Sequence, residues 1–313
     1  MENMELTVMN MYSDILNTYG DIGNFTCINQ RIIWRNIGLN IQECTIDKDD
    51  DFNWEDIDII LIGGGSDNNQ SIVSNHLLEQ RKELVEFVEN GGVLLAICGS
   101  YQMFGNVYID VDGNDIPCLE VFDIETKSAA DRLIGDIVIS NAISESKNVI
   151  NKDFGFKLDN MVGFENHGGR TYHDYDPLGY VKVGFGNNGE DKKEGMVYKN
   201  FIGSYLHGPF LPKNPHIADY MIFNALNKKY SLDEIEDLND SIEVNAHNRM
   251  LKRLFEWMMV ICMQRDPYSQ WVKDPDNKAK LFMFITAAMV MTTFLIVIGT
   301  IILILSLVGI IHF

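Results

Sequence analysis

Val93-Leu94-Leu95-Ala96-Ile97-Cys98-Gly99-Ser100-Tyr101-Gln102 decides how the rest of the chain is read. Five apolar residues in succession are the signature of a strand buried in a parallel sheet. A cysteine follows at once, then two small residues, then residues able to start a helix. This order puts Cys98 on a sharp strand-to-helix turn. The positive end of a helix dipole behind the sulfur would favour thiolate, the nucleophilic form, over thiol. A lone cysteine is more often a small core residue. The turn, the helix start and a histidine downstream favour a nucleophile here.

Upstream, Leu6 to Tyr12, Leu39 to Ile46 and Ile57 to Ile62 read as strands. Phe25 to Ile37 has helical spacing. Gln70 to Glu89 reads as one long amphipathic helix with Leu77, Leu78, Leu84, Val85 and Val88 as its apolar stripe, stopped by Asn90-Gly91-Gly92. Strands alternating with helices predict an α/β fold with a parallel, doubly wound sheet. Such sheets bind ligands at the carboxyl ends of their strands. Gly63-Gly64-Gly65 and Cys98 both stand at such ends. Asn17 to Asn24 is a polar loop whose Gly20 and Gly23 allow close approach of a ligand. An acidic turn, Asp47 to Asp51, follows the second strand.

After Gly105 the pattern changes to short strands and turns. Asp112-Gly113 is a hairpin signal. Leu133 to Ser140, Met161 to Phe164, Tyr180 to Phe185 and Met196 to Tyr198 are strand candidates, and Lys199-Asn200 makes a turn. Phe201 to Leu206 is another strand, ending at His207-Gly208-Pro209. Helices are expected over Pro215 to Lys228, Leu232 to Leu238 and from Ile242 onward.

The chain has 313 residues and a formal charge of −20. From Phe255 to the end there are four basic residues (Arg265, Lys273, Lys278, Lys280) and four acidic ones (Glu256, Asp266, Asp274, Asp276), so the tail is neutral and the head carries the whole charge. So acidic a head repels nucleic acid, which excludes DNA and RNA as partners. The five cysteines (Cys27, Cys44, Cys98, Cys118, Cys262) are scattered, odd in number and without a CxxC, which speaks against a metal site or a disulfide framework and fits a reducing compartment. Met1 to Asn10 lacks a basic n-region and a long apolar run, so no signal peptide is expected.

A cysteine nucleophile needs a base. His207 stands at a strand end, on the same rim as Cys98. His167 lies in Phe164-Glu165-Asn166-His167-Gly168-Gly169-Arg170, with His173 in the same loop. Spacing favours His207 and leaves His167 open.

Ile97 to Gln102, with Gly63-Gly64-Gly65 upstream and Tyr205-Leu206-His207-Gly208-Pro209 downstream, resembles the class I glutamine amidotransferases of the cobyric-acid-synthase-like branch. Tyr19-Gly20-Asp21-Ile22-Gly23-Asn24, Ile62 to Asp67, Gly163 to Asp174 and Asp191-Lys192-Lys193-Glu194-Gly195 resemble the GatD-like members, the glutaminase subunits of lipid II isoglutaminyl synthases. The likeness runs from about Leu6 to about Leu254. It implies Cys98 as nucleophile, His207 as base, and Arg132 as the arginine that forks onto the carboxylate of substrate glutamine. It also implies Gln102 as a substrate contact. Backbone N–H groups of Gly99 and of the Gly64–Gly65 loop would form an oxyanion hole. Two places depart from the pattern. Ala96 and Ser100 replace the glycines that usually flank the cysteine at two residues' distance. Pro209 stands where a glutamate usually orients the histidine, which predicts a Cys–His dyad or an orienting group from elsewhere, with Glu165 a candidate.

No GxxxxGK[ST] loop is present, so no ATP site and no cofactor is expected in this chain. The resemblance implies a heterodimer with an ATP-dependent, Mur-ligase-like subunit, MurT, that receives the ammonia and amidates a glutamate carboxylate of a lipid-linked cell-wall precursor. The competing reading is a membrane-tethered, catalytically silent regulator. The intact Cys98, His207 and Arg132 weigh against it, and Arg132 also weighs against a cysteine peptidase on the same turn.

The expected organisation is an amidotransferase domain over 1–241, a closing or interfacial helix over 242–265, a linker over 266–280 and a membrane span over 281–311. Leu281 to Ile311 contains no charged residue, and about 20 apolar residues suffice to cross a bilayer. Lys273, Lys278 and Lys280 just before the span predict a cytoplasmic head on a single-pass anchor in the cell membrane.

Overall fold

The computed structural model of the chain describes residues 4–47 and 52–265. β1 (Glu5–Met11), α1 (Ile22–Trp34), β2 (Gly38–Cys44), β3 (Ile59–Ile62), α2 (Asp67–Glu79), α3 (Arg81–Glu89), β4 (Val93–Ile97) and α4 (Gly99–Met103) alternate strand with helix. Every residue of β3 and β4 is buried, as their unbroken apolar sequences require of central strands. The single helix expected from Gln70 to Glu89 is two. They part at Gln80, whose side chain turns into the core, where it accepts from the Tyr12 hydroxyl (3.1 Å) and donates to Cys44 Sγ (3.4 Å).

The later strands are β5 (Val107–Ile109), β6 (Asp115–Ile116), β7 (Glu125–Asn141), β8 (Asn160–Tyr172), β9 (Gly179–Val183), β10 (Lys193–Glu194), β11 (Met196–Tyr198) and β12 (Phe201–Ser204). They divide between two sheets. One has the order β11-β12-β4-β3-β1-β2 and is parallel except for the β11–β12 hairpin. The other is mixed, with the order β10-β9-β7-β5-β6 and β8 paired to β7. The α/β architecture is as expected, but the single doubly wound sheet is corrected to two sheets, because the region read as short strands holds a 17-residue β7 and a 13-residue β8.

Two consequences position the site. β1, β3, β4 and β12 are mutually parallel, so the segments that follow them emerge on one rim. These segments carry Asp21, Gly63–Gly65, Cys98 and His207. The second consequence is a bulge in β7. Ser128 pairs with Gly169 and Leu133 with His167, so residues 129–132 stand opposite Gly168 alone. A bulge re-aims side chains, and Arg132 is in it.

α5 (Phe210–Lys213), α6 (Pro215–Tyr230) and α7 (Ser241–Arg265) complete the described chain. α6 is tied to α1 by a buried network: Arg31 bonds Asp219 (2.7 Å) and Asp240 (2.8 Å), and Arg35 bonds Asp219 (2.8 Å). Losing one member would leave a buried charge uncompensated. The helix expected over Leu232 to Leu238 does not form. Ser231 ends α6 in a left-handed conformation, and Arg35 Nε captures the Glu236 carbonyl (2.7 Å), so a side chain satisfies that backbone. In α7, Leu254 packs on Val138 and Val162, and His247 Nδ1 bonds the Lys213 carbonyl. Among the described residues no helix is long and apolar enough to cross a membrane. The linker expected at 266–280 and the span at 281–311 lie outside the described residues.

Candidate active site

Cys98 sits between β4 and α4 with φ 54° and ψ −107°. A non-glycine residue there costs of order 1–3 kcal/mol and persists only where its surroundings over-determine it. They do so here. Cys98 N–H donates to the Ser204 carbonyl of β12 (2.8 Å), and Gln102 N–H donates to the Cys98 carbonyl (3.0 Å). Ser100 Oγ lies 3.0 Å from the carbonyls of both Ile62 and Ile97. Ser100 therefore anchors the turn to β3, which a glycine at that place could not do. α4 has five residues, so the dipole behind Cys98 is smaller than a long helix would supply.

His207 follows β12 and is docked on β8 through two backbone bonds with Phe164, 2.8 and 3.2 Å long. Its Nδ1 lies 3.1 Å from both carboxylate oxygens of Asp21. Asp21 Oδ2 also accepts Gly64 N–H (2.8 Å), and Asp21 immediately precedes α1. Tyr19 lies edge-on to the His207 ring, with centroids 5.1 Å apart. The far nitrogen, Nε2, is buried and, among the described residues, has no partner but Cys98. Burial opposes a charge on this imidazole. Cys98 and the Asp21 carboxylate outweigh burial and push it up to about 10. Gly64 is wedged between the pair: a Cβ there would lie 2.7 Å from His207 Cε1 and 3.0 Å from Cys98 Cβ.

The Cys–His dyad read from the sequence thus gains a third group, Asp21. Glu165 is not that group. Its carboxylate accepts the N–H of Phe185 (2.7 Å) and Gly186 (2.9 Å) and stands 3.8 Å from His167, the other histidine. The signal for Asp21 was its place after the first strand, on the same rim as Cys98, at the start of a helix.

A cavity of about 440 Å³ opens beside Cys98, and Gly65, Gln102, Arg132, His167 and His207 help to line it. Arg132 donates from Nε to Asn166 Oδ1 and from Nη2 to the Asn166 carbonyl, both at 2.7 Å. Among the described residues no carboxylate pairs with it, so its charge is available to an anion. Gln102 is engaged at both ends: Oε1 accepts from Gln70 Nε2 (3.0 Å) and Nε2 donates to the Tyr205 hydroxyl (2.9 Å). It forms a wall first and could contact a ligand only by exchanging a partner. Gly64 N–H is committed to Asp21, which leaves Gly65 as the donor candidate of that loop. Gly99 is buried directly after Cys98, where a Cβ would lie 2.4 Å from Gln70 Nε2. His167 gives Nδ1 to the Gly169 carbonyl (2.8 Å) and stacks on Tyr205 at 3.7 Å. No group of three His, Cys, Asp or Glu among the described residues is placed to hold a metal ion.

A buried thiol facing an imidazole that a carboxylate orients can attack an amide carbon and return a proton to the departing nitrogen. The relatives of the chain agree with that chemistry. Residues 7–215 match the CobB/CobQ-like glutamine amidotransferase domain. The chain is 43% identical over 249 residues to the lipid II isoglutaminyl synthase (glutamine-hydrolyzing) subunit GatD of Staphylococcus aureus, covering 80% of this chain and 96% of that one. The chain belongs to the GatD family. Its likeness to the GatD subunit of Streptococcus pneumoniae is 37% identity, over 73% of this chain and 84% of that one. A probable cobyric acid synthase of Methanocaldococcus jannaschii is 34% identical over 63% of this chain, but only 39% of its own length is matched. Among solved structures, a glutamine amidotransferase of Thermotoga maritima gives a TM-score of 0.43 at 14% identity, covering 83% of this chain and 97% of that one. As a member of the GatD family, the chain is a glutamine amidotransferase.

Proposed function

We propose that this chain is the glutaminase subunit of a lipid II isoglutaminyl synthase. The observation that carries the reading is the line Asp21–His207–Cys98 at one edge of a cavity whose lining includes an arginine without a carboxylate partner among the described residues. Arg132 holds the α-carboxylate of glutamine. Cys98 Sγ attacks the side-chain amide carbon, and backbone N–H groups of Gly65 and Gly99 receive the oxyanion. The imidazolium of His207 gives its Nε2 proton to the departing nitrogen, so ammonia leaves and a thioester remains. His207, now neutral, takes a proton from water as that water attacks the thioester. Glutamate departs and the thiolate–imidazolium pair is restored.

Ammonia passes to a separate ATP-dependent, Mur-ligase-like subunit, MurT, which amidates a glutamate carboxylate of the lipid-linked precursor. Residues 281–311 tether the pair to the cytoplasmic face of the membrane, where such a substrate sits. Two experiments test this. Cys98→Ala in the full chain with its partner should abolish glutamate release, and a glutamine-mimicking diazo-ketone should label Cys98 and none of the other four cysteines; substantial activity in Cys98→Ala would sink the reading. Deleting residues 267–313 should release the protein from membranes with its glutaminase intact. Extraction of the full chain by alkaline carbonate would refute the anchor.

A further inference from the structure

We propose that protonated Glu194 is a positioning residue that holds the strand ends bearing Cys98 and His207 in register. The inference rests on the glutaminase reading above. Glu194, in β10, is wholly buried. Its Oε1 accepts two hydrogen bonds, from Ser204 Oγ (2.7 Å) and from Tyr205 N–H (2.9 Å). Ser204 Oγ in turn accepts Leu206 N–H (3.0 Å). One carboxyl oxygen thereby organises the three residues that lead into His207. The same Ser204 accepts Cys98 N–H through its carbonyl. Nucleophile and base thus hang from one residue, and that residue hangs from Glu194.

The second oxygen of Glu194, Oε2, is buried and has no hydrogen-bond partner among the described residues. The charged group acting on Glu194 from β8 is another acid, Glu165. The titratable groups beside it from α4 and from the end of β12 are the hydroxyls of Tyr101 and Tyr205. None of these three groups supplies a positive charge. A buried carboxylate in such company is costly, and a proton on Oε2 removes the cost. Burial pushes the carboxyl up to about 7, against the bonds from Ser204 and Tyr205 and the nearby Gly195 N–H, itself bonded to Asn187 Oδ1 (2.8 Å), that pull it down. Ionisation would bring a second negative charge into the layer under Tyr205 and strain the strand end.

The test compares E194Q and E194A with the parent in the full chain, assayed for glutamate release together with its ligase partner. Glutamine keeps the acceptor at Oε1 and places an N–H donor where the carboxyl proton stands. The parent kcat should fall as pH rises through about 7, with little change in KM. E194Q should lack that limb and recover to within about threefold of the parent rate on the acid side, whereas E194A should lose roughly tenfold or more at every pH. A protonated-carboxyl band in the infrared spectrum of the parent should disappear as pH rises and be missing from E194Q. Identical pH profiles for the parent and E194Q, or an E194A rate within about twofold of the parent, would overturn the proposal. Should E194A fail to fold, the E194Q profile and the infrared band decide alone. Cys98→Ala run alongside separates the two failures: if it stays active, the glutaminase reading is wrong; if it is dead while the Glu194 variants behave as the parent, only this proposal falls.

Discussion

His207 and His167 are both buried, both line one cavity and both stand near a carboxylate, yet they lean toward opposite charge states. Burial lowers His167, whereas His207 is raised to about 10 against its own burial. The difference lies in what the neighbouring acids are already doing. Glu165 has given its oxygens to two backbone N–H groups and stands 3.8 Å from His167, whose other nitrogen faces a neutral carbonyl. Asp21 presents both oxygens to His207 at 3.1 Å, and Cys98 raises the imidazole further. One carboxylate at the edge of reach does not keep a buried imidazole charged; a carboxylate at hydrogen-bond distance together with Cys98 does. That separates a base from a core histidine better than burial or cavity membership.

The largest expected effect breaks or upholds this contrast directly. His207→Ala should lower glutamine hydrolysis by roughly a hundredfold or more, the usual loss with a general base. His167→Ala should cost much less. If steady-state assays rank them the other way, the assignment of the base is wrong. Asp21→Asn comes next. It keeps the size of the side chain but removes the charge that orients and charges His207, and a loss of roughly tenfold to a hundredfold in kcat is expected, smaller than for His207→Ala. A rate equal to the parent's would return the site to a dyad.

These two variants differ in how readable their targets were. Cys98 announced itself because an apolar strand ran straight into it, and His207 because its strand ended on the same rim. Asp21 shares that rim, but its pairing with His207 was hard to read because the two lie 186 residues apart. Nothing local says which of 45 acidic residues will meet a given histidine. Glu165, the orienter the sequence offered, is occupied instead: its carboxylate accepts the N–H groups of Phe185 and Gly186. The second sheet was obscured for a related reason. β7 mixes exposed and buried positions without strict alternation, and its bulge shifts the period just where Arg132 needs to be re-aimed. The failed helix at Leu232 to Leu238 was decided by Arg35, about 200 residues away, and no window over that stretch contains it.

Stability at high pH gives a smaller, independent reading of the same contrast. The folded-state pKa of His207 is raised from 6.5 to about 10, so its contribution is fully present below 6.5 and is lost as pH rises toward 10. The melting temperature of the parent should exceed that of Asp21→Asn most just below pH 6.5, and the gap should close on the alkaline side. A gap that stays constant to above pH 10 would mean that Asp21 holds His207 by shape alone.

The smallest effect belongs to His167. Its folded-state pKa is lowered from 6.5, chiefly by burial. Below 6.5 the unfolded chain takes up a proton that the folded one refuses, so the folded state loses stability as pH falls. His173, His216 and His247 are lowered for the same reason and act in the same direction, so removing one of the four changes only part of the acid slope. His167→Gln should melt below the parent at neutral pH, because the ring stacked 3.7 Å from Tyr205 is gone. The deficit should narrow on acidification, because glutamine has no proton to refuse. A deficit that widens as pH falls below 6.5 would mean that His167 is charged in the folded protein, with Glu165 as an effective partner. The contrast with His207 would then be one of degree rather than of kind.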